Sequence, residues 1–163
     1  MHEAVRQFVE RVGLMLEADG LARSAGRIYG YLLLCETPRS LDELADELQM
    51  SKASVSTNAR LLEQHGLVER IGSLGDRRDF YRIGCNSWEQ MLRVAQRRWE
   101  TLHTLLVESA ASLPPGMDVG RERLLEAAEF HELLLEGVER LSERWRSRQA
   151  GEVPASAVRA LGG

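Results

Sequence analysis

Two stretches of the chain hold side chains suited to polar recognition rather than to packing. In the first, SKASVSTNARLLEQHG at 51 to 66, hydroxyls and an arginine recur through a run whose apolar residues keep helical spacing. Ser and Thr compete for backbone hydrogen bonds and lower helix propensity, so an ordinary exposed face would use Glu, Lys or Ala instead. With Val55 at the centre of the buried face and a turn of about 100° per residue, Asn58, Ala59 and Leu62 point inward. Ala53, Ser56, Thr57, Arg60 and Gln64 then point outward. That outward set matches the edges of a DNA major groove: Arg for guanine, Gln for adenine, hydroxyls for bases or phosphates, and the Ala53 methyl for thymine. Lys52 and Ser54, at the helix start, have the charge and backbone geometry to hold a phosphate. The second stretch, GSLGDRR at 72 to 78, puts Arg77 and Arg78 at an exposed loop tip, where arginine favours a narrow, electronegative minor groove. Asp76 is placed to orient one of them through a charge-assisted hydrogen bond.

Other chemistries find less support. Cys35 and Cys85 form no C-x-x-C pair and lie near no histidine cluster, so neither a metal site nor a structural zinc is expected. Either thiol is a candidate redox switch, although Cys35 sits in an apolar run where thiols are usually inert. HELLLE at 131 to 136 lacks the second histidine of a metalloprotease helix. With no phosphate loop, dinucleotide fingerprint or nucleophile elbow, the chain is not expected to be an enzyme or to need a cofactor.

The elements that must position these residues follow from periodicity. Val5, Phe8, Val9, Val12, Met15 and Leu16 predict an N-terminal amphipathic helix, and Ile28, Leu32 and Leu33 a second, from about 22 to 35. Ser40 and Glu43 form a capping box for a short third helix, and Ala45 is small enough for a close crossing. After the turn Gln49-Met50, Ser51 caps the next helix, which stops at Gly66. The run LVERIGSLGDRRDFYRIG then predicts a β-hairpin. Helix-turn-helix plus basic hairpin is a winged helix: mainly α with a small β-hairpin wing. A long helix from Trp88 ends at LPPG, and another from about 118 to 148 carries the seam Leu124, Ala127, His131, Leu134, Val138, Leu141 and Trp145. His131 in that seam reads first as a register-fixing polar residue, and secondly as a sensor. The expected division is an N-terminal helix (1–19), a winged helix-turn-helix (20–85), C-terminal helices (86–149) and a mobile tail (150–163).

Composition sets the outer bounds. The 163 residues, 44% hydrophobic and 28% charged with a net charge of -4, suit one soluble globular core. The sign is uneven: residues 51 to 82 hold six Lys and Arg against four Asp and Glu, whereas the remainder holds 15 against 21. Neither a secretory block nor an apolar run near the roughly 18 residues of a membrane span is visible, so a cytoplasmic protein with no membrane partner is expected.

SKASVSTNARLLEQHGLVER followed by GDRRDFYRI resembles the MarR-type winged-helix transcriptional regulators, and GLARSAGRIYGYLLL with SLDELADEL is similar to their GbsR-like branch, named for glycine-betaine synthesis repressors. The likeness covers about residues 13 to 85. It implies a homodimer on double-stranded DNA, with each recognition helix in the major groove and each wing in the adjacent minor groove. The family's recognition-helix start falls on Ser51 to Ser56 and its Asp-x-Arg wing motif on Asp76 and Arg78. Ala53 replaces a frequent glycine, and Ala59 a bulkier aliphatic residue. The flanking amphipathic helices need burial, which a second copy would supply. The resemblance also suggests a small-molecule effector, such as a quaternary ammonium in a pocket lined by Trp88, Trp99, Trp145, Tyr29 and Tyr31, although packing is the commoner role for most of these; Trp88, Trp99 and His131 are the candidate effector contacts. The readings in view are a repressor of this kind, a winged-helix protein-interaction module without DNA, and a redox-responsive regulator.

Overall fold

The computed structural model describes residues 1–73, 76–84 and 86–151, with Ser73, Asp76 and Arg77 by backbone alone. Cys85 and the expected mobile tail beyond 151 lie outside the described residues. In order the elements are α1 (Glu3–Ala18), α2 (Arg23–Leu32), β1 (Arg39–Ser40), α3 (Leu41–Leu48), α4 (Lys52–Gln64), β2 (Glu69–Ser73), β3 (Asp76–Arg82), α5 (Ser87–Ser112) and α6 (Asp118–Gln149). They fall into two compact units, Met1–Met91 and Leu92–Gly163.

In the first unit α1 packs along α2, and the contact is made by glycines. A β-carbon added to Gly26 would lie 2.7 Å from Gly13 Cα and 2.8 Å from the Val12 carbonyl oxygen, so the two backbones touch. Val5, Val9, Val12 and Leu16 line this crossing. The expected stripe is therefore narrower than its periodicity: Phe8 and Met15 stay 39% and 55% exposed on the flank of the helix. Ionic contacts reinforce the pair. Glu10 meets Arg23 and Arg27, each at 2.8 Å, and Arg27 also donates to the Leu48 carbonyl at 2.8 Å, at the end of α3. The hydrogen bond from Arg23 is the main reason the Glu10 carboxyl sits below its ordinary pKa, against the opposing effect of burial.

The helix-turn-helix follows from local chemistry. Ser40 Oγ accepts the Glu43 N–H at 3.2 Å while Glu43 Oε2 accepts the Ser40 N–H at 2.7 Å, the reciprocal capping box expected from the sequence. Gln49 then takes a left-handed conformation, φ 52°, and turns the chain into α4. Ser51 Oγ accepts the Ser54 N–H at 3.2 Å, and α4 stops at Gly66, φ +70°. Gly66 is needed twice over, because a β-carbon there would also lie 2.9 Å from the Gln90 backbone in the first turn of α5. Ile28, Leu32, Leu44, Leu48, Val55 and Leu62 close the core beneath these helices.

The wing is an antiparallel pair, with Glu69 opposite Arg82 and Gly72 opposite Asp79. Ser73 then pairs with Asp76, so Arg77 and Arg78 are extra residues in a bulge at the tip of β3. They are strand residues rather than the loop residues expected. A third strand was not anticipated: β1 pairs with β3 through Arg39–Tyr81 and Ser40–Phe80, giving the order β1-β3-β2.

In the second unit the LPPG turn separates α5 from α6. Arg121 closes it, donating to the Ala110 carbonyl and, at 2.8 Å, to that of Leu113. Along α6 the expected seam is the less exposed side except at Leu141, which is 50% exposed. A second apolar row stands in the open, with Phe130 at 59% and Leu133 at 58%. No helix among the described residues is long and apolar enough to cross a membrane.

Candidate nucleic-acid interface

α4 divides as its sequence foretells. Val55, Ala59 and Leu62 are 0% exposed, and buried Asn58 donates from Nδ2 to the Ser54 carbonyl at 2.8 Å. On the opposite side Ala53, Thr57, Arg60 and Gln64 are exposed and Ser56 is half-buried. Of the residues at the helix start, Ser51 and Lys52 are exposed and Ser54 is half-buried. The Ser51 oxygen serves as the cap, so in the free protein its hydroxyl is already engaged. No acidic residue stands in the first turn of α4, in contrast to Asp42 and Glu43 in that of α3. The positive end of the α4 dipole is thus open to an anion. Lys52 is not idle: its Nζ lies 2.8 Å from Asp42 Oδ1, and this hydrogen bond raises the lysine pKa. Sequence reasoning missed Asp42, since an acid ten residues away gives no local signal of reaching across a turn.

On the wing, the exposed Arg78 places its guanidinium carbon 5.3 Å from the centroid of the Phe80 ring, a cation–π contact. The expected orienting contact of Asp76, and the aim of Arg77, fall on side chains outside those described. Just past the bulge, Asp79 Oδ2 receives Arg70 Nη1 at 3.4 Å, and Arg70 Nε lies 3.4 Å from Glu63 Oε1 of α4. Glu63 first and Asp79 second raise the Arg70 pKa. Glu69 holds Arg82 at 3.0 Å. Beside these pairs lies a cleft of about 470 Å³, bordered by Glu63, Gly66, Val68, Arg70, Arg82 and Gln90 among others. Arg70 and Asp79 could have been found from the sequence, because both flank the hairpin turn at distances that make them neighbours across the strands.

The residues expected to meet an effector do not share one element. Trp88 stands 37% exposed in the first turn of α5, within the first unit. Trp99 and His131 are half-buried residues of the second unit. His131 donates from Nδ1 to the Ala127 carbonyl at 2.7 Å and meets Phe130 edge-on, which is the bond pattern of a helix-surface histidine. Tyr29 and Tyr31 belong to the core of the first unit. Half-buried Cys35 donates its thiol to the Tyr31 carbonyl at 3.3 Å. Among the described residues no three His, Cys, Asp or Glu side chains gather to hold a metal ion.

A helix-turn-helix whose second helix bares a polar face, followed by a wing with an arginine bulge, defines the winged-helix class of DNA-binding proteins. The MarR family profile matches residues 32–79, from the end of α2 into β3. A crystal structure of a transcriptional regulator is 32% identical, with a TM-score of 0.79 over 88% of this chain and 99% of that one. The HTH-type transcriptional regulator MmpR5 of Mycobacterium tuberculosis is 44% identical over 85 residues, 52% of each protein, so the chain spans about half the length of that relative. The HTH-type transcriptional repressor GbsR of Bacillus subtilis is 26% identical over 158 residues, 89% of this chain and 86% of the repressor. The chain belongs to the MarR family of winged-helix transcriptional regulators, in accord with the GbsR-like resemblance of its helices. That family comprises regulators, not enzymes.

Proposed function

We propose that the chain acts as a homodimeric repressor that occludes a promoter by gripping a pseudo-palindromic operator. In this reading α4 enters the major groove, with Arg60, Gln64, Thr57, Ser56 and Ala53 facing base edges. Ser51, Lys52 and Ser54 meet the phosphate backbone, and Arg77 and Arg78 reach the adjacent minor groove, with Asp76 steadying the wing. The observation that carries the proposal is the division of α4, whose inner face is closed while its outer face keeps hydroxyls, Arg60 and Gln64 exposed. Dimerisation is assigned to residues 1–19 and 86–149. Phe130 and Leu133 on α6, and Phe8 and Met15 on α1, are apolar side chains that stand exposed among the described residues. Two heads so joined favour half-sites about one helical turn apart, roughly 34 to 36 Å. A small-molecule effector would act by changing that spacing, with Trp88, Trp99 and His131 as its candidate contacts.

The test is selection of bound duplexes from a random pool, followed by anisotropy titration of the winner at several salt concentrations. Affinity falls steeply with salt through counterion release. Arg60→Ala costs about 1–3 kcal/mol and relaxes sequence choice at one position. Arg78→Ala weakens binding uniformly across sequences and reduces the salt slope by roughly one. Failure to enrich any duplex would support the protein-interaction alternative and sink the repressor.

A further inference from the structure

Minor-groove arginines help only if they stand at the right distance from the helix that reads the major groove, so something must set that distance. Tyr81 of β3 shares the buried core with Leu62 of α4, but beside that core the end of α4 and the root of the wing border an open cleft of about 470 Å³. At the border of that cleft, Arg70 also ties the helix to the wing. From β2, Arg70 directs Nε to Glu63 on the last turn of α4 and Nη1 to Asp79 on β3, each at 3.4 Å. Asp79 is opposite Gly72, the last regular pair before the bulge that carries Arg77 and Arg78. The two carboxylates thus belong to the reading helix and to the root of the arginine bulge, and different nitrogens of a rigid planar fork hold them together.

We infer that Arg70 is a positioning residue that fixes the wing arginines relative to the recognition helix and so sets the fit between major-groove and minor-groove contacts. This rests on the operator-binding reading above. Half-exposed ion pairs of this kind add little to global stability. The effect therefore belongs in DNA affinity rather than in folding. Geometry, not charge alone, is the requirement: a lysine offers a single ammonium and cannot satisfy both carboxylates through separate fixed donors.

The experiment uses the full chain and its selected duplex, comparing Arg70→Lys, Arg70→Gln, Asp79→Asn and Arg78→Ala with each double variant that includes Arg78→Ala. Arg70→Lys and Arg70→Gln should each lower affinity by roughly three- to tenfold at low salt, and Asp79→Asn by a similar or smaller factor, with melting temperatures close to wild type. In the Arg78→Ala background the same changes should cost distinctly less than in the wild type, because one of the two contacts they position is already gone. Hydroxyl-radical footprints of Arg70→Lys should lose the flanking minor-groove protection, while methylation protection of major-groove guanines persists. Wild-type affinity for Arg70→Lys, or losses that multiply fully with Arg78→Ala, overturns the positioning role and leaves operator binding standing. An Arg78→Ala protein that binds as wild type withdraws the wing contact, and the positioning role with it.

Discussion

The crossing of α1 and α2 invites a single-atom test, Gly26→Ala. In a helix interior alanine is favoured over glycine by about 1 kcal/mol, so propensity alone predicts stabilisation. The structure predicts the reverse. The new methyl would stand 2.7 Å from Gly13 Cα and 2.8 Å from the Val12 carbonyl oxygen, both backbone atoms that move only if α1 moves. Overpacking of this kind costs about 1–3 kcal/mol, with rigid backbone neighbours placing it toward the upper end, so it outweighs the propensity gain and leaves a net loss of up to roughly 2 kcal/mol. For a chain of this size each kcal/mol lowers the melting temperature by roughly 2–4 °C, so a fall of up to about 8 °C is expected. The control is Gly120→Ala in the first turn of α6, where the nearest side-chain atoms lie at an ordinary 3.7 and 3.9 Å and the same substitution should stabilise slightly. Thermal and urea melts at one fixed protein concentration, monitored by circular dichroism, compare the two. Equal behaviour of the variants would refute the claim that α1 and α2 touch backbone to backbone.

Two further outcomes follow from the ion pairs. Because Asp42 holds Lys52 in the free protein, Asp42→Asn should raise operator affinity by roughly twofold at low salt and lose that advantage at high salt, and an anisotropy titration showing weaker binding would count against it. Glu10 has a folded-state pKa below the ordinary 4.5, so its stabilisation is complete above that value and disappears as pH falls through the lower, folded one. Wild type should therefore melt above Glu10→Gln at pH 7 and coincide with it in strong acid, and a gap that survives at pH 2 would contradict this linkage.

Much of the head was readable from the sequence because its determinants are local. The Ser40–Glu43 box, the Ser51 cap and the Gly66 stop each act within four residues, and the inner face of α4 follows from helical periodicity. Features that depend on distant partners were not. β1 is two residues long and coincides with the Ser40 cap, so its pairing with Phe80 and Tyr81 leaves no mark in composition. Gly13 and Gly26 have no side chain to register in an apolar pattern, so periodicity alone makes the stripe on α1 too wide and includes Phe8 and Met15. The bulge at Arg77 and Arg78 reads as loop because Gly72 and Gly75, just before it, mask the resumption of strand register. At the recognition surface, residue types announce the outward chemistry and the hairpin brings Arg70 near Asp79, but the ties from Asp42 to Lys52 and from Arg70 to Glu63 belong to tertiary geometry.

The two-residue length of β1 has a consequence for solubility. It covers β3 only at Phe80 and Tyr81, so the outer margin of 76–79 is not covered by β1 and offers backbone groups to which a stray polypeptide could bond. Asp76, Arg77, Arg78 and Asp79 are all charged, and a second copy added in parallel register would stack like charge on like. The residues assigned to gripping an operator thereby also deter self-association, and stripping both arginines would leave a wing more prone to aggregate.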